Sequence, residues 1–321
     1  MKIINKILLL AVAFCFTGCD DIFEEDISGD TVVMIYPQYQ TVVESNIVNF
    51  QWQELDGADD YRLQVYGGNQ IVADTLVSTA YFSVPVPPGS YQWRLRGENS
   101  AYNTNYSFPV SFSVVASEDL TNQQVLLSSP SANIYMQNTQ PTFTWNTLNN
   151  ATSYNFSLIN LTNGNSIITE VPDINDTSYT LPENIITQDG HYQWRIKALN
   201  EENETETAYA TRNFYIDTTP PNQSQNVEPE NEATFETDIE VDFEWNIPQD
   251  SGIITSPLVY TIQIATDTSF TNIIQTGSNI ATNSYSYTFT TEDTYYWRVK
   301  STDAAGNQST YSSYFKIMVY E

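Results

Sequence analysis

The sequence predicts an all-β protein that consists of three antiparallel β-sandwiches in series. Six tryptophans fall into two series with a spacing of about 100 residues, which indicates three copies of one unit. Around these tryptophans apolar and polar residues alternate, as they do in strands with one buried face. No segment after residue 19 shows a convincing 3.6-residue apolar period, so we expect no helices there. The two series are Trp52, Trp145 and Trp245, and Trp93, Trp194 and Trp297.

Each copy repeats the same strand patterns in the same order, with turn residues between them. About seven short strands per copy favour an antiparallel sandwich. The clearest strands are Val48–Trp52, Tyr61–Val65, Tyr91–Arg96 and Tyr106–Phe112 in the first copy, Pro141–Trp145, Tyr154–Leu158, Tyr192–Lys197 and Arg212–Ile216 in the second, and Val241–Trp245, Tyr260–Ile264, Tyr295–Lys300 and Ser313–Ile317 in the third.

Basic residues concentrate on the outward side of the strand that carries the second tryptophan. Six of the nine basic residues that follow residue 19 lie there. Recurrence at one position favours a structural role, in which long cationic side chains cover the outer sheet face. A binding stripe is the alternative. The six residues are Arg94, Arg96, Arg195, Lys197, Arg298 and Lys300.

The composition excludes several classes of protein. The 321 residues include 11 Lys and Arg against 39 Asp and Glu, which gives a formal net charge of −28. Such a surface repels phosphates, so we expect no nucleic-acid partner. Two cysteines cannot form a disulfide framework or a cysteine-rich zinc module. A single histidine argues against histidine-based catalysis and a multi-histidine metal site.

The first residues have the pattern of a secretory leader. Lys2 and Lys6 precede an apolar run over residues 7–14, which is shorter than the roughly 20 residues that span a bilayer. Residues 16–19, Phe-Thr-Gly-Cys, resemble the lipobox of bacterial lipoproteins, with Phe16 in place of the usual leucine. The resemblance implies that residues 1–18 are removed and that Cys19 is lipidated. A plain signal peptide with an incidental cysteine is the alternative.

An acidic segment follows Cys19. Residues 20–30 contain six acidic residues and no basic one, which suits a solvated tether. The segment also resembles the surface-export signal of Bacteroidetes lipoproteins, and the two interpretations are compatible. We therefore expect residues 19–30 to be the lipidated cysteine and tether of a protein anchored in a bacterial outer membrane and exposed at the surface.

The repeated unit resembles the fibronectin type III family, which has an immunoglobulin-like sandwich fold. The resemblance rests on Ala-x-x-Tyr, Thr-x-Tyr and Gly-x-Tyr-x-Trp-Arg in that order, although the third copy has Asp293 where the others have glycine. It implies a tyrosine corner at Tyr91, Tyr192 and Tyr295. A tryptophan stands at the next inward position, where the family more often has an aliphatic residue. The predicted domains are residues 31–117, 118–217 and 218–321.

No residue pattern predicts catalysis. His191 stands where the other copies have Ser90 and Thr294, so it is interpreted as a turn residue. Adjacent acids such as Asp59 and Asp60 arise by chance in so acidic a chain. We expect no enzyme activity, no catalytic residue and no cofactor. No metal site is predicted, because the only suitable metal, calcium, has weak candidates at residues 173–176 and in the linker at Asp217.

Three threonines match a modification pattern. Thr31, Thr75 and Thr218 each follow an aspartate and resemble the Bacteroidetes O-glycosylation motif. Chance matches to so short a motif are common, and an incidental match is the alternative at each of the three sites.

Together these observations predict a non-catalytic cell-envelope lipoprotein that displays three domains for binding, adhesion or spacing. Two alternatives remain open: a glycan-binding lipoprotein of a polysaccharide-uptake system, and a structural subunit of an envelope complex. In the first copy the loop at residues 98–106 carries tyrosine and asparagine, which suit sugar rings. The expected partners are the membrane, through the lipid, and a glycan or an envelope protein. The sequence leaves the oligomeric state undetermined.

Overall fold

The computed structural model describes residues 24–321, and every regular element in that range is a β-strand. The described residues contain no helix that is long and apolar enough to cross a membrane. The chain divides after Val115 into two compact units. The first unit contains one sandwich and the second contains two. The leader, Cys19 and residues 20–23 of the acidic tether lie outside the described residues.

The first sandwich has a three-stranded sheet in the order β1-β3-β6 and a five-stranded sheet in the order β2-β8-β7-β4-β5. Its strands are β1 (Met34–Tyr36), β2 (Thr41–Val43), β3 (Ile47–Trp52), β4 (Asp60–Gly67), β5 (Gln70–Val77), β6 (Tyr81–Pro85), β7 (Gly89–Glu98) and β8 (Val110–Val114).

The second sandwich repeats this arrangement, with sheets β14-β11-β9 and β10-β17-β15-β12-β13 and a short strand β16 beside β15. Its strands are β9 (Leu127–Ser129), β10 (Ile134–Met136), β11 (Thr142–Trp145), β12 (Ser153–Asn160), β13 (Ser166–Ile174), β14 (Ser178–Thr180), β15 (Gly190–Asn200), β16 (Thr205–Glu206) and β17 (Ala210–Ile216).

The third sandwich has sheets β18-β20-β23 and β19-β25-β24-β21-β22. Its strands are β18 (Asn226–Glu228), β19 (Ala233–Glu236), β20 (Glu240–Trp245), β21 (Val259–Ala265), β22 (Ile273–Ile280), β23 (Ser284–Thr288), β24 (Asp293–Thr302) and β25 (Phe315–Tyr320).

Each sandwich has its own hydrophobic core. All six tryptophans are at most 3% exposed, as the period-two pattern predicts. In every core a phenylalanine from one sheet packs on a tryptophan of the other. The ring centroids are 5.0 Å apart for Phe50 and Trp93, and 5.1 Å apart in both of the other sandwiches. A buried tryptophan removes about 150–250 Å² from water, which is worth roughly 4–6 kcal/mol of gross stabilisation as an upper bound.

The first strand of each sandwich is divided between the two sheets. Its first half pairs antiparallel in the three-stranded sheet, and its second half pairs parallel with the last strand of the larger sheet. The sandwiches are therefore antiparallel except for one parallel pair each, which the sequence analysis did not predict. A cis proline lies at each crossing, and the three cis bonds are Tyr36–Pro37, Ser129–Pro130 and Glu228–Pro229.

The tyrosine corner is present in all three sandwiches. Each tyrosine hydroxyl donates a hydrogen bond to the backbone carbonyl four residues earlier, which ties the strand to the preceding loop. The bonds run from Tyr91 to Pro87 (2.8 Å), from Tyr192 to Gln188 (2.7 Å) and from Tyr295 to Thr291 (2.9 Å).

The last strand of the first and third sandwiches begins later than the alternation predicted. In the first sandwich β8 begins at Val110 rather than at Tyr106, and Phe108, which lies before it, is 93% exposed. Pro109 has no backbone N–H for a sheet ladder. Tyr106 is instead held under Arg94 and Arg96 on the outer face.

Candidate functional site

The residues predicted as modification sites occupy different environments. Thr31 is exposed ahead of β1, and Thr75 is half-buried in β5. The Thr218 residue is exposed, but its hydroxyl donates a hydrogen bond to Asp189 Oδ1 at 2.8 Å. Glycosylation of these threonines stays a prediction, as does lipidation of Cys19, which lies outside the described residues.

The basic stripe of each sandwich lies over aromatic rings of the same sandwich. The guanidinium carbon of Arg94 is 4.2 Å from the ring centroid of Tyr106, and Arg195 and Arg298 repeat this contact on Tyr209 and Tyr311. Such cation–π contacts contribute about 0.5–1 kcal/mol each at exposed sites. The stripe therefore covers the outer sheet face. Tyr106 is therefore the counterpart of Tyr209 and Tyr311 in the first sandwich.

His191 is part of strand β15 rather than a turn residue. Its ring stacks on Tyr215 with a centroid distance of 4.5 Å and an interplanar angle of 16°. Burial lowers the pKa of His191, because desolvation disfavours the charged form of the ring. This environment gives the imidazole a packing role.

Three aspartates in the second unit bring their carboxylates close together. Asp217 follows β17 directly, Asp250 lies between β20 and β21, and Asp303 lies between β24 and β25. One carboxylate oxygen of each lies within 4.8 Å of the others. None of the ion pairs within residues 24–321 involves these aspartates. The group therefore carries several negative charges without a basic partner.

Hydrogen bonds hold each aspartate in place but leave two oxygens unused. Asp303 accepts from both the backbone N–H and the side-chain amide of Asn307, each at 2.8 Å. Asp250 Oδ2 accepts from the backbone N–H of Ser256 at 2.7 Å, and Asp217 Oδ1 accepts from that of Thr219 at 3.1 Å. Asp217 Oδ2 and Asp250 Oδ1 are buried and have no hydrogen-bond partner.

Burial raises the pKa of Asp217 to about 6, and the charges of Asp303, Asp250 and Asp189 act in the same direction. The side chain of Asp217 is 0% exposed. A carboxylate in this environment is unfavourable unless a positive charge compensates it.

The sequence pointed to part of this group. It singled out the linker at Asp217, whereas Asp303 was not among the calcium candidates. The sequence did not indicate Asp250 as a metal ligand, because this aspartate lies alone in the long loop between β20 and β21. The other calcium candidate is not assembled, since Asp173 and Asp176 are exposed and are absent from the aspartate group.

A groove with a volume of about 520 Å³ lies on the five-stranded sheet of the first unit. Its walls combine aromatic residues, among them Tyr66, with amide and hydroxyl groups. They include Tyr66, Gln40, Asn69, Gln92, Ser111 and Ser113. This groove is separate from the loop at residues 98–106, where Asn99 uses its side-chain amide on the backbone carbonyls of Gly57 and Glu25. Hydrogen bonds within the protein therefore fix the loop at residues 98–106.

No protein-family model and no curated protein matches this sequence. Solved structures with similar folds include the FN1–FN3 domains of chicken CNTN1, at 15% identity and a TM-score of 0.45, with 91% of this chain and 98% of that one covered. Fibronectin(III)-like modules of CbhA from Clostridium thermocellum are similar at 12% identity and a TM-score of 0.23, with 58% and 94% covered. The strand pairing and the tyrosine corners described above establish the fold as three fibronectin-III-like sandwiches.

Proposed function

We propose that this chain is a non-catalytic lipoprotein of the bacterial cell envelope that presents fibronectin-III-like sandwiches at the outer membrane for binding, adhesion or spacing. The observation that carries the proposal is the series of sandwiches with separate cores, which follows a lipobox-like sequence and an acidic tether. A domain that completes its own core can be repeated along a chain without losing stability. Such repeats are typical of binding and spacing modules.

The use of the polar side chains supports a role without catalysis. The histidine of the chain stacks on Tyr215, and the recurring arginines lie on tyrosine rings. Groups that serve as acid, base or nucleophile need access to a substrate. Here the same groups are engaged in packing.

Lipidation is tested in a bacterial host that processes lipoproteins. With radiolabelled palmitate, the natural chain is expected to incorporate label and Cys19→Ala is not. Cys15→Ala is the matched control, because residue 15 leaves with the leader and its loss should not change labelling. Label that persists in the Cys19→Ala variant would contradict the anchor.

Surface exposure is tested by protease treatment of intact cells. The natural chain should be cleaved, whereas a variant with the acids of residues 20–30 replaced by Asn and Gln should keep its lipid and become protected. Equal protection of both proteins would contradict outward display.

A second candidate function is glycan binding, and the groove on the first sandwich favours it. The ring of Tyr66 beside amide and hydroxyl groups matches the stacking and hydrogen bonding that sugars require. On a glycan array, binding should be lost in Tyr66→Ala and kept in Tyr81→Ala. Tyr81 is an equally large residue, 63% exposed, on the opposite sheet of the same sandwich. Equal binding by both variants would exclude the groove.

A further inference from the structure

We propose that Asp217, Asp250 and Asp303 bind a calcium ion that joins the end of the second sandwich to two loops of the third. The proposal does not depend on the envelope function, because it rests on side chains within the second unit alone. An acidic group by itself would not justify it in so acidic a chain. The decisive observation is the Asp217 side chain, which is 0% exposed and has one oxygen without a partner.

The two unpartnered oxygens belong to members of one group of carboxylates. Asp217 Oδ2 and Asp250 Oδ1 are both buried without a hydrogen bond, and all three aspartates offer an oxygen within 4.8 Å of the others. Buried polar groups in folded proteins normally find partners, and buried charges are paired or coordinate a metal. A cation held among the three carboxylates would supply the missing partner.

The chemistry of the group selects the metal. All its donors are oxygens, which suit calcium and magnesium, whereas zinc, copper and iron prefer histidine and cysteine ligands. Calcium holds oxygens at about 2.4 Å, so ligands on opposite sides lie about 4.8 Å apart. The three oxygens lie within 4.8 Å of one another, which is compatible with such a calcium ion. Magnesium demands a near-ideal octahedron and usually keeps several waters, so a group of protein carboxylates in loops favours calcium.

The positions of the three residues define what the ion would do. Asp217 is the first residue after the last strand of the second sandwich, and Asp250 and Asp303 belong to loops of the third. Protein contacts already support this junction, since the Asn307 side-chain amide donates to both Asp303 Oδ2 and the backbone carbonyl of Asp217, at 2.8 and 2.9 Å. An ion would add a bridge between the two sandwiches and offset the repulsion among the aspartates.

The test uses the full chain and calcium chloride as the probe. Titration calorimetry should show one calcium site with a Kd of about 10⁻⁴–10⁻³ M, the range of extracellular modules, and weaker binding of magnesium. Calcium should raise the melting temperature more than sodium chloride of equal ionic strength does, because general screening also stabilises an acidic chain.

Three variants decide the assignment. Asp217→Asn and Asp303→Asn should each weaken calcium binding at least about tenfold, because ligand charge sets affinity in such sites. Asp176→Asn is the matched control, since it removes an exposed aspartate of the same sandwich and should bind like the natural chain. Circular dichroism in chelator establishes that each variant is folded.

Two results would overturn the proposal. One is a natural chain whose melting temperature responds equally to calcium and to sodium chloride of the same ionic strength. The other is calcium binding that is unchanged in Asp217→Asn and Asp303→Asn. If Asp303→Asn fails to fold because Asn307 loses its partner, Asp250→Asn replaces it, since Asp250 reaches the group from a different loop.

Discussion

The ends of the first and second sandwiches are equivalent in geometry and different in chemistry. Val114 pairs with Gly89 and Ile216 pairs with Gly190, so the residues that follow, Val115 and Asp217, occupy the same place. Both donate their backbone N–H to the end of the parallel strand, at 3.0 and 3.1 Å.

Only the side chains at this place differ. Val115 is 37% exposed, whereas Asp217 is fully buried beside two other carboxylates. The chain divides into compact units directly after Val115 and does not divide after Asp217. The same strand ending can therefore close a compact unit or connect two sandwiches of one unit, depending on what the following residue contacts.

The largest effect is expected from removing a core tryptophan on either side of this division. Trp93→Ala and Trp194→Ala should each destabilise their own sandwich by about 3–5 kcal/mol, because each leaves a large cavity. Hydrogen exchange should show loss of protection within residues 31–115 for Trp93→Ala. For Trp194→Ala the loss should extend from the second sandwich into the third. Loss confined to the second sandwich would show that the two behave independently.

The tyrosine corners should respond equally in both units, because their geometry is shared. Tyr91→Phe and Tyr192→Phe each remove a hydroxyl and leave a backbone carbonyl without its donor. We expect a loss of about 1–2 kcal/mol in each case, measured by urea unfolding. A clear difference between the two variants would mean that the corner is supported differently in the two units.

Replacing Asp217 by the residue at the equivalent position of the first sandwich should have a smaller effect on stability. Asp217→Val gives the second linker the side chain of the first. In chelator this variant should be more stable than the natural chain by about 1 kcal/mol, because relief of a buried charge outweighs the loss of one hydrogen bond. Thermal unfolding with and without calcium measures this. A less stable variant in chelator would show that the carboxylate stabilises the junction without an ion.

The smallest effect is expected at the turn between β21 and β22 of the third sandwich, which an acidic side chain stabilises. The carboxylate of Asp267 accepts hydrogen bonds from the backbone N–H of Asn272 at 2.7 Å, and from Ser269 and Thr271, and these bonds hold its pKa well below the ordinary 3.8. A depressed pKa stabilises the fold above the unfolded value, and this stabilisation is lost as pH falls below about 4.

Asp267→Asn should therefore lower the melting temperature at pH 7 and have less effect at pH 3. The corresponding turn of the first sandwich, with Gly68 and Asn69, has no acidic residue. Asn69→Ala is accordingly expected to shift the melting temperature equally at the two pH values. An Asp267→Asn shift of the same size at both pH values would contradict the assigned bonds.

Sequence reasoning worked where the signal is local. Period-two alternation placed Phe50 and Trp52 in a core because successive side chains of a strand point to opposite faces. It failed at residues 106–109, which do not belong to the last strand. Strand β8 begins only after Pro109, and the Tyr106 ring packs under Arg94 and Arg96 on the outer face rather than in the core. The parallel pairing of β2 with β8 was not predicted either. Pairing between segments that are distant in sequence does not change the spacing of apolar residues within either segment.

The sequence alone determined that this protein is a series of β-sandwiches with tryptophan interiors, since repeat length and alternation are properties of neighbouring residues. Only the tertiary structure decided which charges meet. Asp217, Asp250 and Asp303 lie on three separate segments, and nothing in their local patterns links them. They come together because a linker and two loops of the second unit meet, and burial there leaves Asp217 Oδ2 and Asp250 Oδ1 without a hydrogen-bond partner.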